Sequence, residues 1–356
     1  MLKLDKIYKT IGAFIIIAAA LIVVIFLKPK NAIAPINEFA SKQLNADETQ
    51  TTLFFAGDIM LSRNVAGKIY STNDFTLPFK NVKDVTSSAD IAFANLESPF
   101  LDSGNHSVQN SLIFNADPKS IAGLNYSGFD ILSTANNHAF DQGIKGIEYT
   151  IKLLKDHGII PVGTFAPNEA FDPSQNVISK NKIAYGFLSY SYSGLNDGGK
   201  TAKQEVADFN DLDKLKQDII SMRGHYADVV IVNMHAGVEY TRQPAQKQID
   251  FAHAAIDAGA DLVIGEHPHW IQTVEQYKGK WIFYSLGNFV FDQMWSQETR
   301  EGLTLVVTYD KEQIKKIELK PVVIDDYCCP RWANQEETLS ILKKINLTSS
   351  VIFSQN

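Results

Sequence analysis

The sequence predicts a layered α/β domain with an antiparallel portion, and three observations lead there. From Thr51 onward, short apolar runs alternate with stretches of helical period, the order expected when helices cover a sheet. Most of the runs (DILST, IIPVG, KIAYGFLSY, DVVIVNM, DLVIG and WIFYSLGNFVF) show little polar alternation, which marks strands covered on both faces. Thr304 to Asp325 instead reads as an antiparallel hairpin turning near Asp310-Lys311. No internal repeat or low-complexity tract interrupts this order.

The chain begins with a separate signal. Lys3, Lys6 and Lys9 precede an uncharged apolar run from Ile11 to Leu27. Its seventeen residues, at about 1.5 Å each, reach roughly 25 Å, the short end of what a bilayer core accepts. A secretory signal peptide is the competing reading. Ala32-Ile33-Ala34 resembles a cleavage site, but Pro35 would follow the cut, and the run exceeds a usual signal core. The expectation is an uncleaved signal anchor over residues 1–30, single-pass, with the Lys-rich end cytoplasmic and the main domain outside the membrane. Lys28 and Lys30 on the far side weaken that orientation without reversing it. Residues 31–50 are polar and aperiodic and read as a tether. The main domain is expected over 51–325 and a tail over 326–356.

Helices follow from period and punctuation. Ile144, Ile147, Ile151 and Leu154 make one stripe over Gly143–His157, stopped by Gly158. Ile249, Ala252 and Ile256 repeat it over Gln246–Ala258, stopped by Gly259. Weaker patterns predict helices over Asp211–Met222 and Gln335–Lys344. The only cysteines, Cys328-Cys329, are adjacent. They form no zinc framework or disulfide scaffold and are read as two unpaired thiols rather than a vicinal disulfide. A formal net charge of -7 excludes a general nucleic-acid binder, which would show a basic footprint.

The chemistry lies at the strand ends. Six apolar runs stop on residues able to bind or border a metal: Gly57-Asp58, Asn95-Leu96-Glu97, Asn136-Asn137-His138, Asn233-Met234-His235, Gly265-Glu266-His267-Pro268-His269 and Leu286-Gly287-Asn288. Ligand sites on α/β sheets lie at the carboxyl ends of strands, so the repetition indicates one site. In an extended segment His267 and His269 would project to the same side, with Pro268 stiffening them. Asn137 and His138 offer a hard and a borderline ligand, suiting Mn, Fe or Zn better than Ca. The competing reading is that these Asn residues only cap the next helix. Asp141 either orients His138 or caps that helix. Asp58 and Glu97 supply carboxylates that can bridge two cations, though either alone would be an ordinary turn residue. His235 ends an apolar run and is expected to be a ligand, with Glu239 and Tyr240 beyond it facing the same cleft. Asn288 is read as a turn shaping the cleft. His253 is expected in the core, His157 and His225 at helix ends, and His106 in solvent.

The ordered motifs GDIML (57–61), NLESP (95–99), ANNHAFDQG (135–143), HAGVEY (235–240), GADLVIGEHPHWIQ (259–272) and YSLGNFVFD (284–292) resemble the poly-γ-glutamate capsule biosynthesis family, CapA with its PGA-cap domain. That family resembles the calcineurin-like metallophosphoesterases. The resemblance implies a β-sandwich flanked by helices, with two divalent ions at the strand ends. It assigns Asp58, Glu97, Asn137, His138, His235, His267 and His269 as metal ligands. His138 is also the candidate general acid, with Asp141 and His235 in the catalytic set, although a direct ligand cannot serve as that acid. It further implies capsule synthesis or export partners and an anionic polymer or phosphoester substrate. Two departures stand out. Met60 replaces the His of the usual Asp-x-His opening, and Glu266 stands where many relatives have His, placing a negative group beside the His pair. The resemblance leaves open whether the metal site turns over a phosphoester or serves polymer assembly.

Overall fold

A computed structural model gives the fold and describes residues 50–354 except 170 and 193–204. The apolar run Ile11–Leu27, and all but the last residue of the 31–50 tether, lie outside the described residues. Among the described residues, no helix is long and apolar enough to cross a membrane.

In chain order the strands are β1 Gln50–Ile59, β2 Ile91–Leu96, β3 Ile131–Ser133, β4 Ile160–Val162, β5 Val177–Lys180, β6 Ile183–Ser191, β7 Val229–His235, β8 Leu262–Glu266, β9 Val274–Tyr277, β10 Lys280–Phe283, β11 Asn288–Val290, β12 Glu301–Asp310, β13 Gln313–Asp325, β14 Cys329–Trp332 and β15 Val351–Ser354. They form two sheets. The first runs β14-β13-β12-β1-β2-β3-β4, with β11 against β1 and β15 against β13. The second runs β5-β6-β7-β8-β10-β9. β1 to β4 are parallel, as are β6, β7, β8 and β10. Parallel neighbours point all their carboxyl ends the same way, so each sheet gathers its polar strand ends along one rim.

Alternation along the strands builds a helix–sheet–sheet–helix stack. Leu53, Phe55, Phe93 and Ile131 of the first sheet meet Phe187, Val229, Ile231 and Ile264 of the second in one core. Their neighbours Phe54, Ala56, Ala92 and Leu132 turn outward onto Val65, Ile69, Leu124 and Leu154. Val230, Val232 and Val263 likewise turn onto Leu215, Ile219, Phe251 and Ile256. Successive strand residues thus feed different cores, which explains runs with no polar face. The Phe93 and Phe187 rings stack across the inter-sheet core at 5.8 Å.

The helices sit where their stripes predict, over Gly143–Asp156, Gln246–Ala258 and Gln335–Lys344. Gly259, at φ 114°, closes the second by donating to Ala255 and Ile256 carbonyls. The weak pattern at Asp211 becomes Leu212–His225, because Asp211 is its N-cap, accepting from the Lys214 N–H at 2.9 Å. The β12–β13 hairpin turns as expected, with Lys311 at φ 53°. Beyond Asp325 the chain adds β14 and β15 to the first sheet.

Four expectations need correction. WIFYSLGNFVF is not one strand: β10 lies in the second sheet and β11 in the first, with Gly287 (φ 68°) at the crossing. This crossing segment bonds both sheets, since Leu286 N–H donates to Gly265 O at 2.9 Å and Asp58 N–H to Gly287 O at 3.0 Å. Cys328 and Cys329 are joined by a disulfide. His253 is half-buried rather than core, lying 2.9 Å from Glu275 and stacked on Tyr277, because β9 brings both beside its helix. His106 is also half-buried, its Nδ1 lying 3.2 Å from Asn115 O.

Candidate metal centre

The residues singled out at strand ends come together on one rim. Asp58 sits near the end of β1, and Glu97 follows β2. Asn137 and His138 follow β3, His235 ends β7, and His267 with His269 follow β8. None of these seven exposes more than 8% of its surface, so none is an ordinary solvated side chain. The His267-Pro268-His269 segment is not extended, because β8 ends at Glu266 and both His residues take positive φ, 94° and 58°. Such backbone costs of order 1–3 kcal/mol per residue and gathers at functional sites.

Neutral amides organise the acids and imidazoles. Asn95 Nδ2 donates to Asp58 Oδ1 at 2.7 Å and lies 3.2 Å from His235 Nδ1. Asn136 Nδ2 donates to Leu96 O at 2.8 Å and to Asn95 Oδ1 at 3.2 Å, so it locks the β2 and β3 ends together instead of capping a helix. His235 Nε2 is 2.8 Å from Asn137 Oδ1. Asn288 is more than a turn. Its amide donates to Thr299 O at 2.8 Å, which leaves Oδ1 to accept from His269 Nδ1 at 2.9 Å. That bond fixes the tautomer, and the lone pair of His269 falls on Nε2, 3.7 Å from Glu97 Oε1. Asp141 does not cap the following helix, whose cap position is Gln142. Its Oδ2 lies 2.8 Å from His138 Nδ1, while His138 Nε2 faces Glu97 Oε1 at 3.7 Å.

Asp58, Glu97 and His235 each offer a ligand atom, all within 4.8 Å of one another and fully buried. Asp58 Oδ2, both Glu97 oxygens and His267 Nδ1 have no hydrogen-bond donor or acceptor partner among the described residues. Burial, then the adjacent Asp58, push the Glu97 carboxyl well above its ordinary range. Burial, then the neighbouring His267 and His269, push His235 well below its own. Burial, with His269, brings His267 down to about 4. Neutral imidazoles beside partnerless carboxylate oxygens form a donor set that fits a divalent cation, which would supply the missing countercharge.

The two departures have structural explanations. Met60 is fully buried in the apolar core, its sulfur accepting from the Ser62 N–H at 3.1 Å, so it offers nothing to the site. Glu266 is also fully buried and accepts from Asn233 Nδ2 at 2.5 Å. Burial, then Asp58, raise its carboxyl toward the neutral form, which softens the charge expected beside the His pair.

Two contributors went unread in the sequence. Phe114, stacked on His138 at 3.9 Å, and Phe291, 4.8 Å from the His269 ring, gave no signal. Tyr240 faces the cleft as expected, stacked on His269 at 6.0 Å.

Residues 52–293 match the family described as bacterial capsule synthesis protein PGA_cap. The chain belongs to that family. It is 31% identical over 296 residues to the capsule biosynthesis protein CapA of Bacillus anthracis, covering 81% of this chain and 69% of that one. It is 30% identical over 275 residues to the PGA biosynthesis protein CapA of Bacillus subtilis (strain 168), covering 76% and 71%. Among solved structures, its fold is similar to the NAD nucleotidase NadN of Haemophilus influenzae, with a TM-score of 0.50 at 11% identity. That match covers 84% of this chain and 57% of that one, and speaks for the fold alone. The architecture of this PGA_cap member is thus two sheets flanked by helices, with a buried Asp/Glu/His group on the strand-end rim.

Proposed function

We propose that this chain is a membrane-anchored, extracytoplasmic component of capsule-polymer synthesis or export, the polymer being poly-γ-glutamate or a similar polyanion. We further propose that its strand-end site performs metal-dependent hydrolysis of a phosphoester or related bond. One observation carries the chemical half: Asp58 and Glu97 are buried together with three carboxylate oxygens lacking donors, beside His235. Two divalent ions, Mn, Fe or Zn, would be held by Asp58, Glu97, Asn137, His235, His267 and His269. Bound there, the ions supply an activated water and charge neutralisation on the substrate oxygens.

The remaining groups have protein-borne roles. Asp141 holds His138 by Nδ1 and keeps the imidazole aimed into the site. This dyad suits His138 as the proton donor to a leaving oxygen, and Asn137 then takes the ligand place beside it. Asn95 and Asn288 orient Asp58 and His269. A second reading keeps the ions but gives the site a binding or trimming role on the polymer without phosphoester turnover. Met60 supports it, because a side chain buried in the apolar core would supply no ligand where the usual opening has His.

The test is metal analysis of the purified full-length protein, with hydrolysis of a generic phosphodiester measured alongside a His235→Ala variant. Bound metal and His235-dependent turnover are expected. Metal-free protein without site-dependent activity would overturn the chemical half, and bound metal without turnover would select the second reading.

A further inference from the structure

The surroundings of the centre do not suit a polyanion alone. Val108, Leu112 and Ile113 are 46, 68 and 57% exposed, and they lead into Phe114, which stacks on His138 at 3.9 Å. Across the site, Trp295 is 61% exposed and meets Tyr240 at 4.8 Å, while Tyr240 stacks on His269. Val238, 55% exposed, lies between the ligand His235 and Tyr240. Exposed apolar side chains scattered singly need no explanation, but Trp295 and Tyr240 carry one aromatic path from solvent to the His269 ring.

Beside the centre a cavity of about 610 Å³ opens from Asn137 and His267 toward Tyr192, Phe209 and Val238. It has the size of a small-molecule site. Among its described lining residues, Lys247 is the one Lys or Arg, and Glu239 lines the same cavity. Arg63, on the opposite side, is already paired with Asp292. A site for a polyanion would instead carry several unpaired Arg or Lys side chains.

We propose that the substrate of this site is an amphiphile: a phosphoester whose phosphoryl group meets the metal centre and whose hydrocarbon chain fills the cavity. This deepens the phosphoesterase reading and rests on it.

The test is a binding series on full-length, metal-loaded protein held in amphipol, using methyl-, butyl- and octylphosphonate, which cannot be hydrolysed at the carbon–phosphorus bond. Binding is read by calorimetry and by Trp295 fluorescence, with Trp295→Phe identifying the signal. Burying each methylene is worth up to about fourfold in affinity, so a rise of at least tenfold from methyl to octyl is expected. Val238→Glu should flatten the rise. Octyl glucoside should bind at least tenfold more weakly than octylphosphonate, because it lacks the anionic head.

A flat series, or equal binding of octyl glucoside, overturns the inference. If a short phosphodiester is still hydrolysed in a His235-dependent way, the phosphoesterase reading survives that loss. A rising, head-group-dependent series in protein that turns over no phosphoester supports the amphiphile site while sinking the hydrolytic reading.

Discussion

Replacing Glu97 by Gln should make the metal-free protein more stable and abolish its response to metal. Without an ion, both Glu97 oxygens are buried without a donor. Burial and Asp58 raise the carboxyl well above its ordinary 4.5. The folded state therefore holds a proton that the unfolded chain releases. The stabilising contribution of Glu97 is complete below pH 4.5 and is lost as pH rises through the raised value. At neutral pH the wild type bears the cost of burying this acid beside Asp58, about 2 kcal/mol. The Gln amide keeps the shape and offers Asp58 Oδ2 a donor. A gain of about 2 kcal/mol should raise Tm by about 4 °C in a domain of this size. Metal at a hundred times its Kd should stabilise the wild type by about 2.7 kcal/mol per site and leave Glu97→Gln unmoved. Calorimetry at pH 7.5, with EDTA or with MnCl₂, should thus show the order of the two proteins invert. The EDTA difference should shrink toward pH 4.5. A variant less stable than wild type in EDTA at pH 7.5, or one retaining the metal response, would refute the reasoning.

Other substitutions probe separate parts of the site. Asp141→Asn should leave Tm within about 1 °C but lower turnover or metal affinity by about ten- to a hundredfold, measured by steady-state kinetics and metal titration. Gly57→Ala would set its Cβ 1.9 Å from Gly287 O, a main-chain atom with no room to retreat. It should cost at least about 2 kcal/mol by urea unfolding, and a smaller loss would mean the crossing segment yields. Glu266→Gln should be neutral or stabilising by about 1 kcal/mol with metal content unchanged by mass spectrometry. Loss of an ion would instead make Glu266 a ligand.

How much of this was legible depends on whether the signal was local. Asp58, Glu97, His138, His235, His267 and His269 each end an apolar run, and a polar residue there has few uses other than a site. The helices over Gly143–Asp156 and Gln246–Ala258 were equally plain, since one stripe and one glycine define each. The crossing from β10 to β11 was hidden because WIFYS and NFVF are each good strands, and only Gly287 marks the change of sheet. The positive φ of His267 and His269 was invisible, because non-glycine residues carry no mark of such backbone. Tyr240 and Trp295 belong to segments far apart in sequence, and only the tertiary fold reveals that they meet beside the His269 ring.

The segment from Tyr284 to Asn288, bonded to both sheets, gives the centre a mechanical role. Asp58, Glu97, Asn137 and His138 belong to the first sheet, and His235, His267 and His269 to the second. Ions held by both sets would bolt the halves of the sandwich across their rim. Shear between the sheets would then have to wait for an ion to leave. Occupancy would set the lifetime of the fold as well as its chemistry, so resistance to proteases would follow metal supply.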